Sequence, residues 1–170
     1  YQTELVARGA LDFGEQIAAV TALCKTRPNV LRRLQRQCRH LLVDEFQDAN
    51  VAQIELIELL GRTPDRADNV MVVGDDAQSI YSWRGADVRN ILDFERDYPN
   101  AHVVALEQNY RSTQTIVEAA NSVIAKNKAQ LPKNVWTANE EGNLIELIKA
   151  VSDNEEGKLV ASSIFEEKMQ

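Results

Sequence analysis

The chain has 170 residues, of which 44% are hydrophobic and 26% charged, a globular composition that excludes a disordered, collagen-like or disulfide-scaffold protein. No apolar run approaches the ~18 residues of a membrane span, and Tyr1-Gln2-Thr3-Glu4 offers neither a charged leader nor an apolar signal core, so a trimmed, cytoplasmic chain without membrane contact is expected. The net charge of −7 argues against a general nucleic-acid binder, because phosphate affinity rests on Lys and Arg, yet residues 1–40 carry +4 and residues 41–170 carry −11, a split that two solvated faces of opposite sign also explain.

Residues 3–25 read as a helix, with Leu5, Leu11, Ile17, Val20 and Leu23 at apolar positions and weak points at Gly9 and Gly14. Pro28 or Asn29 opens a second, basic helix through Gln37. Cys24 and Cys38 fit no metal spacing and are expected to be reduced. Leu41-Leu42-Val43 has the wholly apolar character of a strand buried on both faces, and it stops abruptly at Asp44-Glu45. Residues 50–60 form a helix apolar on most sides, through Val51, Ile54, Leu56, Ile57, Leu59 and Leu60, and Gly61 stops it.

A second strand, Val70-Met71-Val72-Val73, ends in Gly74-Asp75-Asp76, and a third, Val103-Val104-Ala105-Leu106, runs toward Gln108-Asn109-Tyr110-Arg111. Ser112 is the expected cap of a helix carrying Ile116, Val117, Ala120, Val123 and Ile124. Beyond Leu131-Pro132 the pattern weakens to a strand over 144–151 and an amphipathic helix over 155–168. Short apolar strands alternating with helices predict an α/β fold, a parallel sheet with flanking helices.

In such a sheet, ligands gather outside the carboxyl ends of the strands, and three successive strands end there in polar clusters. Side chains alternate along a strand, so one of Asp44 and Glu45 can hold a hydrated Mg²⁺, which prefers oxygen ligands and waters. The other can orient and deprotonate a water for attack on a phosphoryl group; alternatively, both simply cap the next helix. Gln78 can sense a phosphate without adding net charge. The planar fork of Arg111 suits a γ-phosphate, or it pairs with one of the acids nearby. Tyr110 can stack on a base or belong to the core. Tyr81, Trp83 and Arg84 share a short irregular stretch, where aromatic faces can stack on unpaired bases for about 1–3 kcal/mol each; the alternative is a buried tryptophan with a satisfied indole.

Together these residues closely resemble the UvrD/PcrA/Rep-type DNA helicases of superfamily 1. Leu42-Val43-Asp44-Glu45-Phe46-Gln47-Asp48 resembles helicase motif II, the run Val72–Ala86 resembles motif III, and Leu106-Glu107-Gln108-Asn109-Tyr110-Arg111-Ser112 resembles motif IV. Order and spacing match over about residues 5–150. Two departures stand out: Leu11-Asp12-Phe13-Gly14-Glu15-Gln16 replaces the commoner Asp-Phe-Asp-Asp pattern, and Ala77 stands where Asp is frequent.

The resemblance implies a partial RecA-like P-loop NTPase core that uses ATP and Mg²⁺. By the same carry-over Asp44 coordinates Mg²⁺, Glu45 is the catalytic base, Gln78 couples the γ-phosphate to DNA binding, and Arg111 is a finger on that phosphate. Tyr110 stacks near the adenine, while Tyr81, Trp83 and Arg84 contact single-stranded DNA. The implied activity is 3′-to-5′ translocation and duplex unwinding in DNA repair or replication. Its partners are single-stranded DNA, duplex junctions and the remaining helicase domains of a parent chain. No Gly-x-x-x-x-Gly-Lys-Ser/Thr occurs in the sequence, so an internal piece is expected, inactive alone. Residues 1–130 would be the later part of the first RecA-like domain and 131–170 the start of the second. Two other readings stay open: a non-catalytic nucleic-acid-binding or interaction module, and a two-metal phosphohydrolase or nuclease built on the acidic clusters.

Overall fold

Gly9, at φ +61°, breaks the helix expected over residues 3–25 into two. A left-handed residue costs glycine nothing, so the computed structural model, which describes residues 1–62 and 69–169, has α1 over Gln2–Ala7 and α2 over Phe13–Thr26. Asp12 caps α2, accepting the Glu15 backbone N–H at 2.7 Å. Helix α3, Pro28–Gln37, starts at its proline as expected. Helix α4, Val51–Gly61, opens on a capping box: Asn50 accepts from the Gln53 backbone at 3.1 Å and Gln53 accepts from the Asn50 backbone at 2.9 Å. Helix α2 packs against both α3 and α4, with Thr21 and Cys24 buried in that layer; both cysteines are free thiols.

Strands β1, Leu41–Val43, and β2, Val70–Val72, pair in parallel with Val43 opposite Val72. The pairing runs on past the strands, because the Val73 N–H donates to the Val43 carbonyl at 2.8 Å and the Phe46 N–H to the Val73 carbonyl at 3.0 Å. Phe46, Ala49 and Ile91 form the buried core, with Val43, Ile54, Ile57 and Val72 packed on it. Leu42 and Met71 point outward and are exposed, so the expectation of a strand buried on both faces gives way to one with a single covered face.

Two further helices of one turn each, α5 (Arg89–Leu92) and α6 (Phe94–Asp97), complete this layer. Phe94 meets Phe46 edge-on at 5.6 Å and stacks on Tyr98 at 4.5 Å. The strands expected over 103–106 and 144–151 do not form among the described residues. Their apolar side chains are largely exposed, and no neighbouring strand takes their backbone N–H and C=O groups, without which an apolar run is not a strand.

The chain divides into two compact units. One comprises Tyr1–Ala105 with Asn127–Lys133, the other Leu106–Lys126 with Asn134–Gln170. The second contains α7, Gln114–Ile124, and α8, Asp153–Met169, the latter enclosing the helix expected over 155–168. Thr113, not Ser112, precedes α7, and its side chain makes no capping hydrogen bond; Ser112 lies one residue further out, in the turn held by the Asn109 side chain at 2.7 Å. No described helix is long and apolar enough to cross a membrane.

Candidate functional site

The site of the first unit lies where β1 and β2 end. Past Val43 the backbone turns sharply at Glu45, which sits in the left-handed region at φ 51°, ψ 42°. That conformation costs a non-glycine residue about 1–2 kcal/mol, and such strain concentrates at functional positions. Asp44 and Glu45 are both exposed, and Asp44 accepts the Glu45 N–H at 2.9 Å. Neither caps α4, since Asn50 has that role.

The next residues, Phe46–Asp48, form a 3-10 turn. It anchors Phe46 in the core and buries Gln47 to 1% exposure. Gln47 uses both ends of its amide: Nε2 donates to Glu45 Oε2 at 2.8 Å, and Oε1 accepts the Asp75 backbone N–H at 3.0 Å. Gly74 makes this approach possible, for a Cβ there would lie 2.6 Å from Gln47 Oε1 and 2.9 Å from Ile91 Cδ1. Gly74→Ala is therefore expected to destabilise the chain by about 1–3 kcal/mol. Urea unfolding should show a lower midpoint with an unchanged slope, and an unchanged midpoint would mean that the contact yields freely.

At the end of β2, Lys133 donates to Asp75 Oδ1 and, at 2.9 Å, to Asp76 Oδ1. Asp75 also accepts from the Ala77 N–H at 3.0 Å and from Gln78 Nε2 at 2.7 Å. Asp76, its side chain 3% exposed, accepts the Leu131 N–H at 3.2 Å. Burial pushes the Asp75 carboxyl up, but hydrogen bonds from Lys133 and Gln78 outweigh it and hold it below the usual carboxylate range. Burial likewise pushes Lys133 down, and its bonds to Asp75 and Asp76 more than restore it. One of the two negative charges at the second strand end is thus offset by Lys133. The described residues contain no cluster of three metal-ligating side chains. Asp44 and Glu45, exposed at the strand end, still fit Mg²⁺, which commonly takes one or two carboxylates and completes its shell with water and phosphate.

Glu45, Gln47, Asp48, Gln78 and Tyr81 line an open cleft of about 550 Å³. The Tyr81 and Trp83 rings stand 6.3 Å apart. The Arg84 guanidinium lies over both, 5.0 Å from the Tyr81 centroid and 4.5 Å from that of Trp83. Trp83 is 73% exposed, so it is a presented aromatic face and not a buried indole.

In the second unit, Trp136 pairs with the 107–109 segment, donating its N–H to the Glu107 carbonyl at 2.9 Å and accepting that of Asn109 at 2.7 Å. The Asn109 side chain accepts the N–H groups of Arg111 and Ser112 at 2.8 and 2.7 Å, an Asx turn that presents both residues before it. Tyr110 is 79% exposed and donates its hydroxyl to Gln108 at 2.8 Å, so it is not a core residue. The Arg111 side chain is exposed and makes no ion pair among the described residues.

Residues 1–99 match the UvrD/REP helicase N-terminal domain, and residues 104–170 match the UvrD-like helicase C-terminal domain. The chain belongs to the UvrD/REP helicase family. It is 48% identical to the ATP-dependent DNA helicase PcrA of Leuconostoc citreum over 96% of this chain and 22% of that protein. Against the PcrA of Bacillus subtilis (strain 168) the identity is 47%, over 98% of this chain and 22% of the relative. Against the PcrA of Staphylococcus aureus (strain Mu50 / ATCC 700699) it is 46%, over 97% and 22%. The chain thus spans about a fifth of the length of the curated relatives it matches.

Within this UvrD/REP-type chain, the first unit brings together Asp44, Glu45, Gln78, Tyr81, Trp83 and Arg84, and the second carries Tyr110 and Arg111. Sequence reasoning assigned no part to Gln47 or Lys133. Gln47 lies inside the acidic cluster and is marked only by being neutral among carboxylates. Lys133 is 58 residues from Asp75 and leaves no local signal.

Proposed function

We propose that this chain is part of an ATP-dependent DNA helicase that couples ATP hydrolysis to 3′-to-5′ translocation on single-stranded DNA and to duplex unwinding. The observation that carries the reading is the shared cleft of Glu45, Gln78 and Tyr81, continuous in sequence with the exposed Trp83 and Arg84. Glu45 takes the proton of the water that attacks the γ-phosphoryl group. Gln78 contacts that phosphate with its amide and Arg111 with its guanidinium, while Tyr110 stacks near the adenine. Asp44 would hold Mg²⁺, which when bound neutralises charge on the phosphates. Gln78 lies five residues before Trp83, so a displacement at the phosphate reaches the aromatic platform through one short segment. Tyr81, Trp83 and Arg84 hold single-stranded DNA by stacking and backbone contact.

The same proposal gives the chain a partial RecA-like core, with residues 1–130 as the later part of the first such domain and 131–170 opening the second. It makes single-stranded DNA, duplex junctions and the other helicase domains its partners, and DNA repair or replication in the cytoplasm its setting. Lys133 holds both Asp75 and Asp76, which leaves a two-metal phosphohydrolase without its second pair of carboxylates.

The test is unwinding by the parent protein with ATP and Mg²⁺ on duplexes carrying either a 3′ or a 5′ single-stranded tail. Unwinding of the 3′-tailed duplex alone is expected; unwinding of only the 5′-tailed one, or none with ATP hydrolysis absent, overturns the reading. The 170-residue chain alone should release no phosphate above background, since its sequence contains no phosphate-cradling Gly-x-x-x-x-Gly-Lys-Ser/Thr loop. Trp83→Ala in the parent should weaken single-stranded DNA binding by about 5- to 100-fold, the loss of one stacked base. Fluorescence anisotropy of a labelled oligonucleotide reads this, and an unchanged affinity would remove Trp83 from the interface.

A further inference from the structure

Gln47 is the most deeply buried side chain at the cleft, and nothing in the proposed chemistry uses it. An apolar residue of similar size would fill its place, and burying an amide is unfavourable unless both its ends are bonded. Both are. Its Nε2 donates to the Glu45 carboxylate at 2.8 Å, its Oε1 accepts the Asp75 N–H at 3.0 Å, and its backbone carbonyl receives the Ser79 hydroxyl at 3.5 Å. The Asp75 side chain in turn holds the Gln78 amide at 2.7 Å. Gly74 has no side chain, which leaves Gln47 Oε1 its place.

We infer that Gln47 is a positioning residue that fixes the Glu45 carboxylate relative to the Asp75–Gln78 turn, so that the proton-accepting group and the phosphate-sensing group move as one. The residue type follows from the geometry. Glutamate keeps the acceptor for Asp75 but has no donor for Glu45, lysine has no acceptor, and leucine has neither. A glutamate would also set a second negative charge beside Glu45. Glu45 is exposed, so packing does not fix its side chain, and Gln47 is the partner that reaches it. The inference rests on the ATPase reading above.

The experiment uses the full-length parent protein with Gln47→Leu and Gln47→Glu, measuring kcat and KM for ATP with and without single-stranded DNA, together with thermal unfolding. Both variants are expected to lower DNA-stimulated kcat by about 10- to 100-fold, the scale of a misplaced catalytic group, with KM for ATP within about 3-fold of the parent value. Both variants are also expected to lose stability, Gln47→Glu because it buries a second carboxylate beside Glu45, so kcat is compared at a temperature where thermal unfolding shows all three proteins folded. A purely structural residue would leave kcat of the folded variants at the parent value; that result overturns the inference. If the unsubstituted parent hydrolyses no ATP, the functional reading itself fails, independently of either variant.

Discussion

Glu45→Gln in the parent helicase is expected to lower the rate of ATP hydrolysis by about 10²- to 10⁴-fold, the usual contribution of a positioned general base. Nucleotide and single-stranded DNA affinity should stay within a few-fold. The substitution is nearly isosteric and keeps an oxygen able to accept from Gln47 Nε2, the bond now made at 2.8 Å. Core packing is unaffected because Glu45 is exposed, while the turn is anchored by Phe46. What disappears is the carboxylate's capacity to take a proton from water. Phosphate release under saturating ATP, beside anisotropy measurements of nucleotide and oligonucleotide binding, separates the two effects. Residual hydrolysis above about a tenth of the parent rate would mean that another group is the base.

Lys133→Met should give the largest loss of stability, about 3 kcal/mol at neutral pH. Removing one partner of a largely buried ion pair leaves the other charge uncompensated, and here the remaining carboxylate of Asp76 is 3% exposed. The figure is at the low end for such changes because the Lys133 side chain is itself 20% exposed.

The pH dependence has a definite sign. Asp75 titrates below its ordinary value of 3.8 in the folded chain, so its contribution is complete above 3.8 and is lost as pH falls through the lower folded value. Lys133 titrates above its ordinary 10.5, so its contribution is complete below 10.5 and is lost as pH rises through the higher folded value. The difference between the parent chain and Lys133→Met should therefore be widest between these limits and shrink toward strong acid. Urea unfolding at pH 7, 5 and 3 measures it. A difference that grows on acidification would mean that the lysine does not pair with these carboxylates.

The sequence discloses those features whose signal is local. Asp44-Glu45 and Gly74-Asp75-Asp76 sit directly after apolar runs, so a strand end and a polar cluster can be read together, and both strands that pair, Leu41–Val43 and Val70–Val72, are legible this way. The same apolar signal misleads at 103–106, because pairing depends on a neighbour that hydropathy does not reveal. The one-turn helices Arg89–Leu92 and Phe94–Asp97 are too short for any period to register. Gly9 is visible as a weak point, but only its positive φ shows that the helix stops there. The Gln47 bridge and the Lys133 pairing join segments 28 and 58 residues apart, and no spacing rule reports a contact made by folding alone.

That last separation bears on how the molecule is made. Ribosomes add about 5–20 residues per second, so Lys133 leaves the peptidyl-transferase centre about 3–12 s after Asp75, given the 58 residues between them. During that interval the end of β2 has its carboxylates and not their counterion. The strand pair can form as soon as residue 73 is free of the exit tunnel, but the cation of its edge arrives only when residues 127–133 return to the first unit. The nascent chain thus passes through a stage in which the end of β2 carries two carboxylates without the lysine that later pairs with them.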